Sequence, residues 1–316
     1  MTISRTQLDD NRLVTELYEG MKQETGCRIK LDEPLSRHTA FRVGGPARFY
    51  AWPKNEFELG GLVQFCNQNE IRTFLIGYGT NLLVSDNGYA GCIIDLSDGF
   101  RDYKIQGTHV RTGSGAWLSD VVKAVAAQGL SGMENLAGIP GGVGGGLSMN
   151  CGAFRGSISD HLLSVEVMNY EGEAYEMLPK EICFAYRQAP GLSDKIVLFA
   201  EFDLSLSNVK EVLAATEETI TERFRRNVMT LPSAGSVFKN PEGNFSAKLI
   251  ESVGGKGMSY GGAEVSQLHA NFIVNARGGT AADIVTLIEM VRDKVYKEHE
   301  ILLEMEVRRL GFDYED

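Results

Sequence analysis

The stretch "LPSAGSVFKNP", Leu231 to Pro241, places Ser236 between a glycine and two apolar residues, with Lys239 and Asn240 close behind. No histidine lies nearby in the chain, and the G-x-S-x-G elbow of a hydrolase is absent. A serine nucleophile would have no adjacent base, so Ser236 reads either as a turn position or as a hydroxyl put to another use. Two glycine-rich stretches offer chemistry of a different kind. "GYGTNL", Gly77 to Leu82, nearly matches G-x-G-x-x-G, but the third glycine is missing and the following residues read as strand and turn, not helix. "GIPGGVGGG", residues 138–146, carries six glycines in nine positions, a density that marks a loop where backbone must approach something closely. Successive amides in tight turns bind anions without a helix dipole, so these two loops either flank a dinucleotide's pyrophosphate or are unrelated turns. Arg187, in "AYR", and the glutamates Glu304 and Glu306 complete the reactive types. In "LEMEVRRLG" a period of two sends Leu303, Met305 and Val307 one way and Glu304, Glu306 and Arg308 the other, which does not choose between the glutamates.

The elements that position these residues mix strands and helices without a steady alternation, which predicts an α+β chain. Leu13, Leu17 and Met21 predict a helix over 8–24, and a second helix follows over 55–69. Residues 47–52 read as an alternating strand after a glycine turn, and Asp86-Asn87-Gly88 reads as the turn of a hairpin between strands. A helix over 117–128 should end at Gly129. Beyond the glycine cluster come two strands joined at Glu171-Gly172, a buried strand in "IVLFAEFDLSL", and helices over 208–226 and 246–253. The strand "NFIVN", a helix over 280–298 opened by a Thr280/Asp283 capping box, and a final strand "ILLEMEVRRL" complete the order.

Composition limits the classes of function. At 43% hydrophobic and 23% charged residues the chain reads as an ordinary soluble globular protein. A formal charge of −11 argues against nucleic acid as partner, yet leaves room for a small anion in one local pocket. Cys27, Cys66, Cys92, Cys151 and Cys183 lie far apart with no C-x-x-C pair, which predicts reduced thiols in the cytosol rather than disulfides or zinc. His38, His109, His161 and His299 are scattered, so no metal site is expected. The N-terminus is polar and no apolar run nears the ~20 residues of a membrane span, so the expectation is a cytoplasmic protein without membrane insertion.

Six ordered blocks carry a resemblance: "PLSRHTAFRVGGPA" (34–47), "GYGTNLLVSD" (77–86), "LSGMENLAGIPGGVGGGLSMNCGAF" (130–154), "FAYR" (184–187), "SAGSVFKNP" (233–241) and "LEMEVRRLG" (303–311). Together they resemble the UDP-N-acetylenolpyruvoylglucosamine reductase family over nearly the whole chain. The short link from "FKNP" to "AKLIESVGG" is similar to its type II members. The resemblance implies a vanillyl-alcohol-oxidase/PCMH-type FAD-binding domain of two subdomains, over 1–100 and 101–207, and a C-terminal α+β substrate-binding domain over 208–316. It implies a monomeric, NADPH-dependent flavoprotein of bacterial cell-wall synthesis. It further implies UDP-N-acetylglucosamine enolpyruvate as substrate and non-covalent FAD delivering hydride to the β-carbon.

On the matching positions, the resemblance makes Ser236 the donor of a proton to the α-carbon, Arg187 the residue that binds and polarises the substrate carboxylate, and Glu306 an acid at the enolate. FAD contacts are implied at Gly77, Tyr78, Gly79, Thr80, Asn81, Leu82, Pro140, Gly144, Gly145, Gly152, Ala153 and Arg225. Substrate contacts are implied at Tyr186, Arg187, Lys239, Asn240 and His269. The chain departs from the family pattern at Thr80, where many relatives have serine, at Phe154, where tyrosine is common, and at Met229-Thr230, where Gln-Pro is usual. Competing readings are an oxidase on the same flavin fold, many of which tether flavin through a histidine that 138–152 lacks, and a non-catalytic nucleotide-sugar-binding protein.

Overall fold

The computed structural model describes residues 11–153, 156–226 and 230–312. The chain forms two compact units: one comprises the chain up to Asp32, Arg48–Tyr78 and Ala90–Thr221, the other Glu33–Ala47, Gly79–Tyr89 and the chain from Glu222 onward.

The first unit holds two apolar cores. One lies between the helices Asn11–Thr25 and Glu56–Gln68 and a four-stranded sheet ordered Arg28–Pro34, Pro46–Trp52, Tyr89–Asp95, Thr73–Ile76. Leu17 and Met21 face inward, as their spacing predicts, joined by Val14, while Leu13 is only partly buried; residues 8–10 of the predicted helix lie outside the described residues. Asn55 starts the second helix by accepting from the Glu58 amide at 2.9 Å. The other core lies under a five-stranded antiparallel sheet ordered Ala174–Met177, Leu162–Met168, Ile196–Asp203, His109–Gly113, Tyr103–Gln106. Helix Leu118–Ala127 packs into it and ends where Gly129 takes φ +72°, the left-handed position a helix C-terminus favours. The strand Ile196–Asp203 serves both cores. Ile196 and Leu198 enter the first, and Val197, Ala200 and Phe202 the second, which explains why its sequence is almost continuously apolar.

The second unit is built around helix Ala281–His299, whose Ile284, Leu287, Ile288, Val291 and Val295 are buried, matching the predicted face. The Thr280/Asp283 capping box forms: the Thr280 hydroxyl accepts from the Asp283 amide, and the Asp283 carboxylate from the Thr280 amide, both at 3.1 Å. Asp86 adds a second carboxylate there, accepting from the Ala281 and Ala282 amides at 2.9 and 3.0 Å. An antiparallel sheet of Ser259–Tyr260, Ala263–Val265 and Ile273–Asn275 and the helix Ser246–Ser252 complete this core.

Four expectations are corrected. Asp86-Asn87-Gly88 turns the chain but makes no hairpin: Leu82–Val84 runs parallel to Arg308–Leu310, and Tyr89–Asp95 parallel to Thr73–Ile76. The turn chemistry is present, with Gly88 at φ +73° and its amide on the Ser85 carbonyl at 2.9 Å, but it sends the two strands into different sheets. The final strand shrinks to Arg308–Leu310, preceded by a single bridge between Met305 and Phe238. The glycine cluster is not all loop, because Val143–Ser148 winds into a short helix. Its glycines serve close packing: a Cβ on Gly144 would lie 2.7 Å from Ser114 Cβ. The strand Pro46–Trp52 does not alternate, since Phe49 to Trp52 are buried in succession.

Candidate active site

Ser236 belongs to the second unit, in a half-buried segment pinned on both sides. It forms an antiparallel bridge with Phe272, and the Val237 amide donates to the Asn271 carbonyl at 2.9 Å. From the other side, the Glu306 amide donates to the Val237 carbonyl at 2.8 Å and the Lys239 amide to the Glu304 carbonyl at 2.9 Å. Gly235 turns the chain into this segment at φ +81°, and among the described residues no atom beyond its chain neighbours lies within 4 Å of where its Cβ would stand. The predicted serine and glutamate are thus on directly bonded segments. Asn271 locks the register: its side chain accepts from the Phe238 amide at 3.0 Å and donates to the Phe238 carbonyl at 2.8 Å. Nothing in "HANFIVN" signals that role, because the pairing joins residues 33 apart.

The two glutamates that period two left equivalent are separated by their burial. Glu304 is exposed and ion-paired with Lys239, whereas Glu306 is half-buried and its carbonyl accepts from the Asn81 side-chain amide at 3.0 Å. Leu303 and Val307 point into the core, as the alternation predicts. Asn240 is exposed and accepts from the Ser246 amide at 3.1 Å at the start of a helix. His269 stands edge-on to Phe272, and its Nδ1 accepts from the Asn271 amide at 3.3 Å, which leaves the ring proton of the neutral form on Nε2.

Arg187 belongs to the first unit. It occupies a tight turn closed by Ala185 and Gln188, has φ +57°, and donates from Nη2 to the Gly152 carbonyl at 2.9 Å. Tyr186, half of its surface exposed, lies beneath the guanidinium with the ring centroid 5.2 Å away.

The predicted cofactor loops are tightly built. Gly79 is at φ +59°, and a Cβ there would fall 2.0 Å from the His38 carbonyl oxygen. Only glycine fits. In the first unit, the Tyr78 hydroxyl donates to the Gly115 carbonyl at 2.9 Å, and its ring meets Trp117 edge-on, centroids 4.5 Å apart. Burial pushes the Tyr78 phenol above its ordinary value, so it stays a donor at neutral pH. Gly142 packs on that ring, its would-be Cβ 3.1 Å from it. Gly145 is the opposite case: it is exposed, with open space where a side chain would be. Ser114, packed against Gly144, has a buried hydroxyl with no hydrogen-bond partner among the described residues. A backbone face stripped of side chains beside an unsatisfied hydroxyl fits a long polar cofactor such as FAD. Gly152 and Ala153 form a short ribbon with Gly156 and Ser157. Arg225 is exposed on helix Val209–Arg226, 4.0 Å from Glu222. Phe154 and Met229 lie outside the described residues.

Fold and loops together define an FAD-binding oxidoreductase. Residues 47–177 match the family described as FAD binding domain, and residues 227–310 the C-terminal domain of UDP-N-acetylenolpyruvoylglucosamine reductase. A reductase of that name from Clostridioides difficile (strain 630) is 39% identical over 286 residues, covering 90% of this chain and 94% of the relative. One from Moorella thermoacetica is 36% identical over 304 residues, 96% and 99% of the two chains. The crystal structure of the Thermus caldophilus reductase superimposes with a TM-score of 0.78 at 33% identity, covering 90% of this chain and 99% of that one. The chain belongs to the UDP-N-acetylenolpyruvoylglucosamine reductase family. Wild-type Phl p 4.0202, a glucose dehydrogenase, is similar in fold over 61% of this chain and 44% of its own, at 15% identity and a TM-score of 0.50.

Proposed function

We propose that this enzyme reduces the enol-ether double bond of UDP-N-acetylglucosamine enolpyruvate to give UDP-N-acetylmuramate in peptidoglycan precursor synthesis, with NADPH as reductant. Bound FAD supplies a hydride to the substrate's β-carbon. The protein's task is the charge that develops on the α-carbon and spreads into the carboxylate. Ser236 donates its hydroxyl proton to that carbon. A weak acid suffices because a carbanion within hydrogen-bond reach is a strong base. This explains why no histidine is needed beside the serine. Arg187 presents two parallel N–H groups to the planar carboxylate, and Glu306, in its protonated form, donates to the growing enolate.

The observation that carries this reading is the 2.8 Å bond from the Glu306 amide to the Val237 carbonyl, which couples the segments bearing the two acids. Glu306 is half-buried where Glu304 is exposed, which supports Glu306 as the participating glutamate. Lys239 and Asn240 take the diphosphate, Lys239 by exchanging Glu304 for a phosphate, and Tyr186 and His269 contact the nucleotide. Residues 1–100 and 101–207 form the two FAD-binding subdomains, and 208–316 binds the sugar nucleotide. The enzyme works as a cytoplasmic monomer.

Turnover in D₂O tests the assignment, because the proton that Ser236 passes to the α-carbon exchanges with solvent. The product should carry deuterium at the α-carbon. Unlabelled product, or no product, contradicts the proposal.

A further inference from the structure

The turn that carries Arg187 is held in a conformation it would not adopt alone. Ala185 and Gln188 exchange both main-chain bonds, at 3.0 and 3.2 Å, and between them Arg187 takes φ +57°. Residues with a Cβ remain in the left-handed region only where their surroundings hold them. Two hydrogen bonds from one short segment do so here: Asn150 Nδ2 donates to the Ala185 carbonyl at 3.0 Å, and the Gly152 carbonyl accepts from Arg187 Nη2 at 2.9 Å.

Asn150 is unusual in its own right. It is buried and left-handed at φ +40°, and its Oδ1 is buried with no hydrogen-bond partner among the described residues. Asparagine tolerates that backbone better than most residues. A buried amide with one half unsatisfied nonetheless costs stability, and an apolar residue would avoid the cost. The use of Asn150 therefore lies in the half that is bonded, its grip on the Ala185 carbonyl.

We propose that Asn150 is a positioning residue for Arg187. Its amide fixes the strained turn in advance, so the guanidinium stands ready for the substrate carboxylate without a rearrangement on binding. This rests on the role proposed above for Arg187. The position is sensitive, since small misplacement of a group aimed at a reacting centre costs rate steeply.

Two variants separate the grip from the backbone. Asn150→Asp keeps shape and left-handed tolerance but has no N–H to give, and Asn150→Gly keeps the backbone and removes the side chain. Each FAD-loaded variant is examined by stopped-flow in both half-reactions, and by calorimetric titration with UDP-N-acetylglucosamine enolpyruvate and with UDP-N-acetylglucosamine. Both variants should slow flavin reoxidation by the enolpyruvyl sugar by about 10- to 100-fold while leaving reduction by NADPH within about twofold. They should weaken binding of the carboxylated sugar more than that of the other. In an Arg187→Ala background, adding Asn150→Gly should change nothing further, because the residue it positions is gone. If Arg187→Ala is itself without effect, the role of Arg187 fails, and that of Asn150 with it. If Arg187→Ala is impaired but folded Asn150 variants behave as wild type, Asn150 alone is overturned. Equal slowing of both half-reactions also overturns it, by showing general disruption. Should the aspartate variant not fold, the glycine variant decides.

Discussion

Asn81 donates its side-chain amide to the main-chain carbonyl of Glu306 at 3.0 Å, and its own carbonyl accepts from the Arg308 amide at 3.1 Å. A residue of the glycine loop read as a flavin contact thereby fixes the strand end that carries the proposed acid. The parallel pairing of Leu82–Val84 with Arg308–Leu310 continues the same junction. In the second unit, the loop and the acid are parts of one construction, although 225 residues separate them in sequence.

Ser236→Ala removes the proposed proton donor and nothing that contacts NADPH in this account. Reduction of the flavin by NADPH should proceed at the wild-type rate, and reoxidation by the enolpyruvyl sugar should slow by about 10²–10⁴-fold, the range for loss of a general acid. Stopped-flow absorbance separates the two steps. A variant with both steps unchanged would falsify the proton-donor role.

The two neighbouring glutamates should behave differently. Glu306→Gln should slow reoxidation by at least about 100-fold. Glu304→Gln disrupts only an exposed ion pair, worth up to about 1 kcal/mol, so the rate should stay within about fivefold of wild type. Comparable losses in both variants would mean that the register places either side chain at the substrate.

Gly79→Ala meets two obstacles, a left-handed backbone and a carbonyl oxygen 2.0 Å from the new methyl. The strained backbone alone costs about 1–3 kcal/mol. Thermal unfolding of the apoprotein should occur at lower temperature, and FAD should bind more weakly. Unchanged melting would show that the loop lacks the close approach described here.

Burial pushes the Cys27 thiol up to about 11, from an ordinary 9.0. The folded protein then keeps a proton that the unfolded chain gives up, so the stabilising contribution is complete below about pH 9 and disappears as pH rises through 11. Urea midpoints from pH 8 to 11 should therefore fall more steeply for wild type than for Cys27→Ser. Parallel curves for the two proteins would count against a buried, protonated thiol.

Much of this molecule is readable from local pattern. The Thr280 cap and the five-residue buried face of its helix are encoded within about twenty residues, and both form. The alternation at Leu303, Met305 and Val307 correctly sets the glutamates on the other face, but two identical side chains on one face cannot be told apart by period. Burial makes the distinction, with Glu306 half-buried and Glu304 exposed, and no local pattern announces it. The supposed hairpin at Asp86-Asn87-Gly88 fails for a related reason. Turn residues specify a change of direction, whereas the pairing of each strand depends on partners as distant as Arg308. Asn150 and Asn271 were invisible because an asparagine's value lies in which carbonyl it reaches.

The most direct test of the account is the visible spectrum of the purified protein, recorded anaerobically before NADPH, after NADPH, and after UDP-N-acetylglucosamine enolpyruvate. The account predicts an oxidised flavin spectrum that NADPH bleaches and the enolpyruvyl sugar restores. Flavin that bleaches and then stays reduced with the sugar present would contradict it.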